Sequence, residues 1–394
     1  MKTATVLLEI HFYKDSNNQY WSERVVDYHF LTRYLEAFDE INLVARVSYK
    51  EDVSNMMLVS GPHVNFFELP DTQGLKETLG HLFKFRRVFK CAIENSNAVI
   101  LRAPSILTFF LIDVVSRARK PFVIDFVMSA DKMIPKKSLL SRLCNKFINY
   151  RFKKICLQAD GVSYVTKQIL QKSYPCQAIK QPENNRYFTS QFSSLQLTEQ
   201  NYFSQDWTLE NKPDIFTLIH TGFMDDGRKC QDIVIKATSL VFKKGYPIRL
   251  KFIGDGPQKK EFENLAKDVG IESICTFLGM IQDRDRLFLE LQKSHLFVFP
   301  TKAEGLPRVI LEAMAQGLPC ISSPVDGVPE LLPAEDLAEW HDVDAFAQLI
   351  IDEITNWPRM IQESKRNFDE SKLYRDDILQ VKRSSFYGQL AEKV

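Results

Sequence analysis

Residues 295–332 read HLFVFPTKAEGLPRVILEAMAQGLPCISSPVDGVPELL. The order is strand, loop, helix, strand, loop. His295 to Phe299 is a short apolar run closed by Pro300, the pattern of a buried strand. Lys302 to Leu306 is a loop. Pro307 falls in the first turn of the helix, where its missing N–H would be unpaired anyway. The helix runs to about Gln316; Gly317 supplies a left-handed C′ residue and Pro319 blocks continuation. Cys320 to Ser322 opens the next strand.

Two acids stand in this stretch. Glu304 lies in the loop just before the helix, and Glu312 lies inside it, roughly 7 Å along its axis at about 1.5 Å per residue. The neighbours of Glu312 (Val309, Ile310, Leu311, Ala313 and Met314) leave little polar face. A buried carboxylate needs a partner, and a hydroxyl-rich ligand is one. The first N–H groups of the helix, near Gly305 and Leu306, carry partial positive charge and suit a phosphate. A phosphate site flanked by two hydroxyl-binding carboxylates is the chemistry a sugar nucleotide requires. Taken singly, Glu304 also fits a solvated loop acid and Glu312 a helix-pairing residue; the whole stretch favours the ligand.

Glu304-Gly305-Leu306-Pro307, Leu311-Glu312-Ala313-Met314-Ala315, Gly317-Leu318-Pro319 and Gly327-Val328-Pro329-Glu330 together resemble the Glu-x7-Glu signature of the retaining GT-B glycosyltransferases of the group 1, or family 4, type. The resemblance is strong over residues 214–335 and one of general pattern before them. It implies two Rossmann-like α/β domains facing a cleft and transfer of a hexose from a nucleoside diphosphate with retention.

The bounds agree with a two-domain chain. It has 394 residues, too many for one ordinary core, and its 45% hydrophobic and 26% charged residues are ordinary for a soluble protein. No apolar run has transmembrane length, and Met1 to Ile10 is too short for a signal peptide and suits a first strand. Seven scattered cysteines without a C-x-x-C pair argue against a disulfide framework or structural zinc, and point to the cytoplasm. The net charge of +1 hides a division: residues 1–180 carry +9 and the remainder −8.

Before residue 182, strand-like runs alternate with helical ones. The strands are Ala4–Glu9, Asn42–Val47, Met56–Ser60, Val64–Leu69, Ala98–Ala103, Pro121–Phe126, Gly161–Thr166 and Gln177–Gln181. The helices include Ser22–Phe38 and Leu75–Ile93. Such alternation predicts a parallel sheet with ligands beyond the carboxyl ends of its strands. One such end, His11 to Trp21, is a polar and aromatic loop. The family's matching loop helps to hold the acceptor, which makes His11, Tyr20 and Trp21 acceptor candidates, although the usual Gly-Gly pair is missing. Relatives carry a histidine after a central strand; here Val123 to Asp131 has none, and Asp125, Ser129 and Asp131 are the candidates for its place.

Residues 132–154 hold eight Lys or Arg and no acid, with Leu139, Leu140, Leu143, Phe147, Ile148 and Tyr150 near helical spacing. A basic amphipathic helix suits a membrane surface. Lys136, Lys137, Arg142, Lys146, Lys153 and Lys154 are the expected contacts. Lys84 to Lys90 adds a second basic and aromatic cluster. The same composition also fits solvated helix faces or, less well, nucleic acid, which is not expected as a partner.

Residues 183–212 are rich in Asn, Gln and Ser and read as the linker between a first domain, 1–182, and a second, 213–370. The second opens with strand Asp214–Thr221, helix Gln231–Phe242, strand Ile248–Ile253, helix Lys259–Val269, strand Ser273–Leu278 and helix Arg284–Gln292. Gly222, Gly254 and Gly279 end its strands, where glycine permits close approach to a ligand and also simply ends strands. Two cations, Arg228 and Lys229, follow Gly222 before the helix and suit a diphosphate leaving group. The resemblance assigns the diphosphate to Lys229; Phe223 stands where the family has arginine, and Arg228 is a substitute for it. Residues 371–394 form a final helix, which in the family returns to the first domain.

The expected enzyme is therefore a retaining hexosyltransferase with a nucleoside-diphosphate sugar as donor, a glycan or lipid-linked acceptor, and no metal or other cofactor. The setting expected is bacterial surface polysaccharide or lipopolysaccharide synthesis at the inner membrane face. The alternatives are a nucleotide-sugar epimerase of the same architecture and a non-catalytic pseudo-transferase. Presence of Glu304, Glu312 and Lys229 argues against the second.

Overall fold

The computed structural model describes residues 1–23, 26–54, 56–133 and 138–394, apart from the side chains of Lys132 and Leu140. The chain divides into two compact units, 1–192 with 379–394, and 193–378. Each is a parallel sheet with helices packed on it.

The first unit runs β1 (Thr3–Lys14), β2 (Tyr20–Ser22), α1 (Tyr28–Leu35), β3 (Glu40–Tyr49), β4 (Met57–Leu58), β5 (Val64–Pro70), α2 (Gly74–Gly80), α3 (Leu82–Glu94), β6 (Ala98–Ala103), α4 (Ile106–Ala118), β7 (Phe122–Phe126), α5 (Leu139–Gln158), β8 (Gly161–Tyr164), α6 (Ile169–Ser173), α7 (Gln177–Lys180) and β9 (Phe188–Gln191). The parallel order is β5-β3-β1-β6-β7-β8-β9, and β2 with β4 adds an antiparallel edge to the end of β1. The central strands β6 and β7 are mostly apolar and buried because both faces are covered, with Arg102 and Asp125 the charged residues in them.

Glu9 interrupts the apolar run of β1 for a reason visible in the register. The β1–β3 ladder shifts between Leu7 and His11, a bulge that frees Glu9. Its carboxylate pairs with the buried Arg46 at 2.9 Å and accepts the Leu107 N–H at 3.0 Å, in the first turn of α4. An anion there also complements the helix dipole.

The second unit runs β10 (Phe216–Thr221), α8 (Gln231–Lys243), β11 (Ile248–Ile253), α9 (Lys259–Asp268), β12 (Cys275–Phe277), α10 (Arg284–Gln292), β13 (Leu296–Phe299), α11 (Arg308–Ala315), β14 (Cys320–Ser322), α12 (Val343–Thr355), α13 (Trp357–Ser371) and α14 (Asp376–Ala391). Its five strands are all parallel, in the order β12-β11-β10-β13-β14. From Leu379 onward α14 belongs to the first unit. There it buries Phe386, Tyr387 and Leu390.

Several elements differ from the sequence reading. The segment Gln177–Gln181 is a short helix, and the last strand is β9, inside the stretch read as linker. Among the described residues of the segment Ser22–Phe38, the helix is the eight-residue α1, capped by Asp27. The long helix of Leu75–Ile93 is broken at His81 into α2 and α3. Pro307 is the N-cap of α11 rather than a first-turn residue.

Candidate active site

In the second unit the site residues gather where the parallel strands end. After β10 the chain passes Gly222 and turns through residues 223–230 into α8; after β13 it passes Thr301 and Glu304 into α11. Gly254 fixes how closely these ends meet. Its φ is +138°, and a Cβ there would lie 2.0 Å from the Gly222 carbonyl oxygen. Its absolute need for glycine thus comes from protein backbone packing. Gly222 itself faces the Lys229 side chain and the His220 ring.

Lys229 and Glu304 form an ion pair, with the lysine ammonium also 5.0 Å from the centre of the Phe299 ring. Their side chains are only 24% and 11% exposed, so the pair is shielded from most solvent. Glu304 further accepts from Thr301 Oγ1 at 3.0 Å, and its N–H donates to Asp326 at 2.9 Å. The Arg228 carbonyl accepts the Lys302 N–H at 2.9 Å and the Thr301 hydroxyl at 3.3 Å, which ties the two loops together. The Arg228 guanidinium is paired with Asp226 at the surface.

The N–H groups of Gly305 and Leu306 have no acceptor among the described residues and lie at the start of α11. Glu312 lies one helical turn into α11, and its carboxyl makes no hydrogen bond among the described residues. Burial pushes its carboxyl above the usual carboxylate range, while Arg308 and Arg284 oppose the shift. A half-buried carboxyl without a donor suits an incoming hydroxyl.

Three residues of this region escaped the sequence reading: His220, Thr301 and Asp326. His220 is fully buried, with Nδ1 2.9 Å from the Val298 carbonyl and Nε2 without a partner. Burial, with the Val298 carbonyl opposing and Lys229 assisting, lowers its pKa to about 4. The Nδ1 proton is therefore donated to Val298 and the ring is neutral. A histidine inside the apolar run FTLIHTG was the available signal.

In the first unit the candidates take other places. Asp125 is buried and accepts from Ser163 at 2.7 Å, Tyr387 at 2.8 Å and Tyr34 at 3.3 Å. Three hydroxyls of its own core thus hold the carboxylate expected to act in catalysis. Asp131 accepts from Ser129 at 2.6 Å and is partly exposed. The stretch His11–Trp21 is a hairpin whose turn is residues 15–19. His11 lies within β1 and pairs with Asp71 at 2.6 Å, whereas Tyr20 and Trp21 belong to β2. Tyr20 stacks on Phe66 with centroids 3.6 Å apart and donates to Glu68; Trp21 donates to Asp15 at 2.9 Å. One face of Tyr20 is thus already covered.

Arg142, Lys146, Lys153 and Lys154 are exposed on α5. Lys136 and Lys137 lie outside the described residues. Among the described residues no helix is long and apolar enough to cross a membrane. The only grouped metal-type side chains among them, Asp336, Glu353 and Glu363, already surround Arg359 and Arg366.

Two parallel α/β units, the second carrying an acid pair and a cation at its strand ends, define a GT-B transferase. Solved structures share that fold over the full length. Sucrose-phosphate synthase from Thermosynechococcus elongatus superposes with a TM-score of 0.68 at 15% identity, covering 99% of both chains. HepE from Anabaena, in complex with UDP, gives 0.65 at 14% identity, covering 97% of this chain and 98% of that one. The family model described as "Glycosyl transferases group 1" matches residues 215–356. Protein CapJ of Staphylococcus aureus is 30% identical over 322 residues, 81% of this chain and 78% of that protein. N-acetyl-alpha-D-glucosaminyl L-malate synthase of Bacillus anthracis is 31% identical over 40% of this chain and 43% of its own length. The chain belongs to the group 1 glycosyltransferases, and it is an enzyme that transfers sugar.

Proposed function

We propose that the enzyme moves a hexose from a nucleoside-diphosphate sugar to the hydroxyl of a lipid-linked glycan, with retention, in the assembly of a bacterial surface polysaccharide. The observation that carries the donor half is the shielded Lys229–Glu304 pair beside the unpartnered N–H groups of Gly305 and Leu306. In the free enzyme the two charges neutralise each other. A bound diphosphate draws the Lys229 ammonium and the two N–H groups, which offset charge building on the leaving group. Glu304 is then left to bind hydroxyls of the donor sugar and to stabilise positive charge at the anomeric carbon. Glu312 accepts from the ribose hydroxyls. The cations serve in place of a metal, so no cofactor enters the reading. Complexes of similar fold hold UDP, which is in keeping with a nucleotide sugar donor here.

The acceptor half rests on α5. Leu139, Arg142, Leu143, Lys146, Phe147, Tyr150, Lys153 and Lys154 are all exposed and share one broad face, at spacings of three and four residues. The 20-residue helix has no Asp or Glu. Apolar and cationic side chains together suit the head-group layer of an anionic leaflet.

Donor kinetics test the site. Glu304→Gln is expected to lower kcat by at least about a hundredfold, because it removes charge stabilisation used in the transition state. The same variant should bind nucleoside diphosphate at least as tightly as the wild type, since Lys229 loses its competitor. Glu312→Ala is expected to raise the donor KM about tenfold or more with a smaller change in kcat. Wild-type transfer by both variants at low donor concentration would overturn the assignment.

A further inference from the structure

A groove of about 610 Å³ opens in the first unit between α4 and α5. Its wall is Leu75, Ile106, Phe109, Phe110, Met133, Leu143, Cys144, Phe147 and Ile148, with no charged residue. The volume is that of a small-molecule cleft, yet the lining lacks the polar groups that fix a sugar or a nucleotide. Leaving such a surface to water is unfavourable, and Leu75, Leu143 and Phe147 are each at least 45% exposed.

The groove lies beside the carboxyl edge of the sheet. Leu75 follows the end of β5, Ile106 and Phe109 follow β6, and Met133 follows β7. That edge is where ligands of parallel sheets bind. Arg142 and Lys146 are exposed on α5 beside Leu143 and Phe147, so an anionic head group meets cations at the groove's own rim. Arg151 stands 5.1 Å from the Phe109 ring centre on the same two helices.

We propose that this groove binds the hydrocarbon chain of the phosphate-linked lipid that carries the acceptor glycan. The chain lies along Phe109, Phe110 and Phe147, and the phosphate rests by Arg142 and Lys146. The sugar end is thereby held at the carboxyl edge of the sheet. The inference rests on the reading of a lipid-linked acceptor and adds to it a specific seat for one chain.

Cys144 in the groove wall gives a direct readout, and the exposed Cys91 on α3 is an internal control. Alkylation of both thiols in the full-length protein by a maleimide is followed by peptide mass spectrometry. Dodecyl phosphate below its micellar concentration is expected to slow Cys144 at least tenfold and leave Cys91 unchanged. Each fully buried methylene strengthens binding by about fourfold, so octyl phosphate, four methylenes shorter, should need at least about ten times the concentration even when those methylenes are only half buried. Butyl phosphate should not protect. Leu143→Glu, at an exposed position, should weaken the dodecyl protection at least tenfold, read as the ratio of this variant's own Cys144 alkylation rates with and without dodecyl phosphate. Equal slowing of Cys91, equal protection by butyl phosphate, or no protection at Cys144 would each overturn the groove. Vesicle pelleting of the same protein separates the two readings. Pelleting with anionic vesicles but no protection removes the groove alone; protection without pelleting keeps the groove and removes the membrane docking.

Discussion

At the scale of single residues, the pair of Lys229 and Glu304 shows why strand-end chemistry was partly legible. The sequence places each near a strand end, but only the fold brings together two residues 75 positions apart. His220 escaped notice because its chemistry comes from burial, which the sequence does not state. Its unpartnered Nε2 and its place between the Phe252 and Phe299 rings hold it neutral. This has a pH consequence with a definite sign. Its folded pKa of about 4 is below the ordinary value near 6.5, so between the two the unfolded chain binds more protons. The stability contribution is present above about pH 6.5 and is lost as pH falls toward 4; at about 1.4 kcal/mol per unit it amounts to about 3–4 kcal/mol. His295, also lowered to about 4 by burial with help from Lys251, titrates in the same window, so the informative quantity is a difference. His220→Phe should lose about 2 kcal/mol less than the wild type between pH 7 and 4.5 in urea unfolding. Parallel losses in the two proteins would show that His220 does not carry the acid limb.

Among the elements, α14 is the one whose role depends most on tertiary structure. It supplies Phe386 and Tyr387 to the first unit, where Phe386 meets Phe188 and Phe192 edge-on, and Tyr387 donates to the buried Asp125. Tyr387→Phe keeps the ring and removes one of three donors to an enclosed carboxylate. A loss of about 1–3 kcal/mol in unfolding free energy is expected, against under about 0.5 for Val381→Ala on the exposed face of the same helix. Similar values for both variants would show that Asp125 does not depend on this hydroxyl. The same contrast explains which elements were legible. The bounds of β6, β11 and α10 read correctly because apolar period and terminators agree: AVILRA, IRLKFI closed by Gly254-Asp255-Gly256, and the Asp283 cap. β9 was hidden because an edge strand needs one apolar anchor, Phe188, and otherwise reads Thr-Ser-Gln. The hairpin of β1 and β2 was hidden because its polar side chains have partners the sequence does not show: Lys14 and Tyr20 with Glu68 of β5, and Trp21 with Asp15. The hydroxyl partners of Asp125 were not legible, because a polar residue at a strand end reads alike whether it faces a ligand or the core.

Over the whole molecule, the division of charge is the feature that local structure does not require. Residues 1–180 carry +9, and the apolar exposures of α2, α3 and α5 fall in the same unit: Leu75, Leu79, Phe83, Leu139, Leu143, Phe147 and Tyr150. Either property alone has a plain explanation, since scattered surface apolar groups and solvated cations are common. Both on one face of α5 serve an interface that is apolar in depth and anionic at its surface. Each cation near an anionic leaflet contributes roughly 1 kcal/mol, and salt shortens the reach of that attraction to about 3 Å at 1 M. Vesicles containing phosphatidylglycerol should therefore pellet the protein at low ionic strength and release it at high salt, whereas vesicles of neutral lipid should not pellet it. Changing Arg142, Lys146, Lys153 and Lys154 together to Glu reverses four exposed charges on that face and should reduce pelleting at least tenfold. These positions are remote from the Lys229–Glu304 pair in sequence and belong to the other unit, so nucleoside diphosphate binding should be unchanged in the same variant. Pelleting that is indifferent to lipid charge, or that survives the four substitutions, would remove electrostatic docking while leaving the sugar transfer chemistry in place.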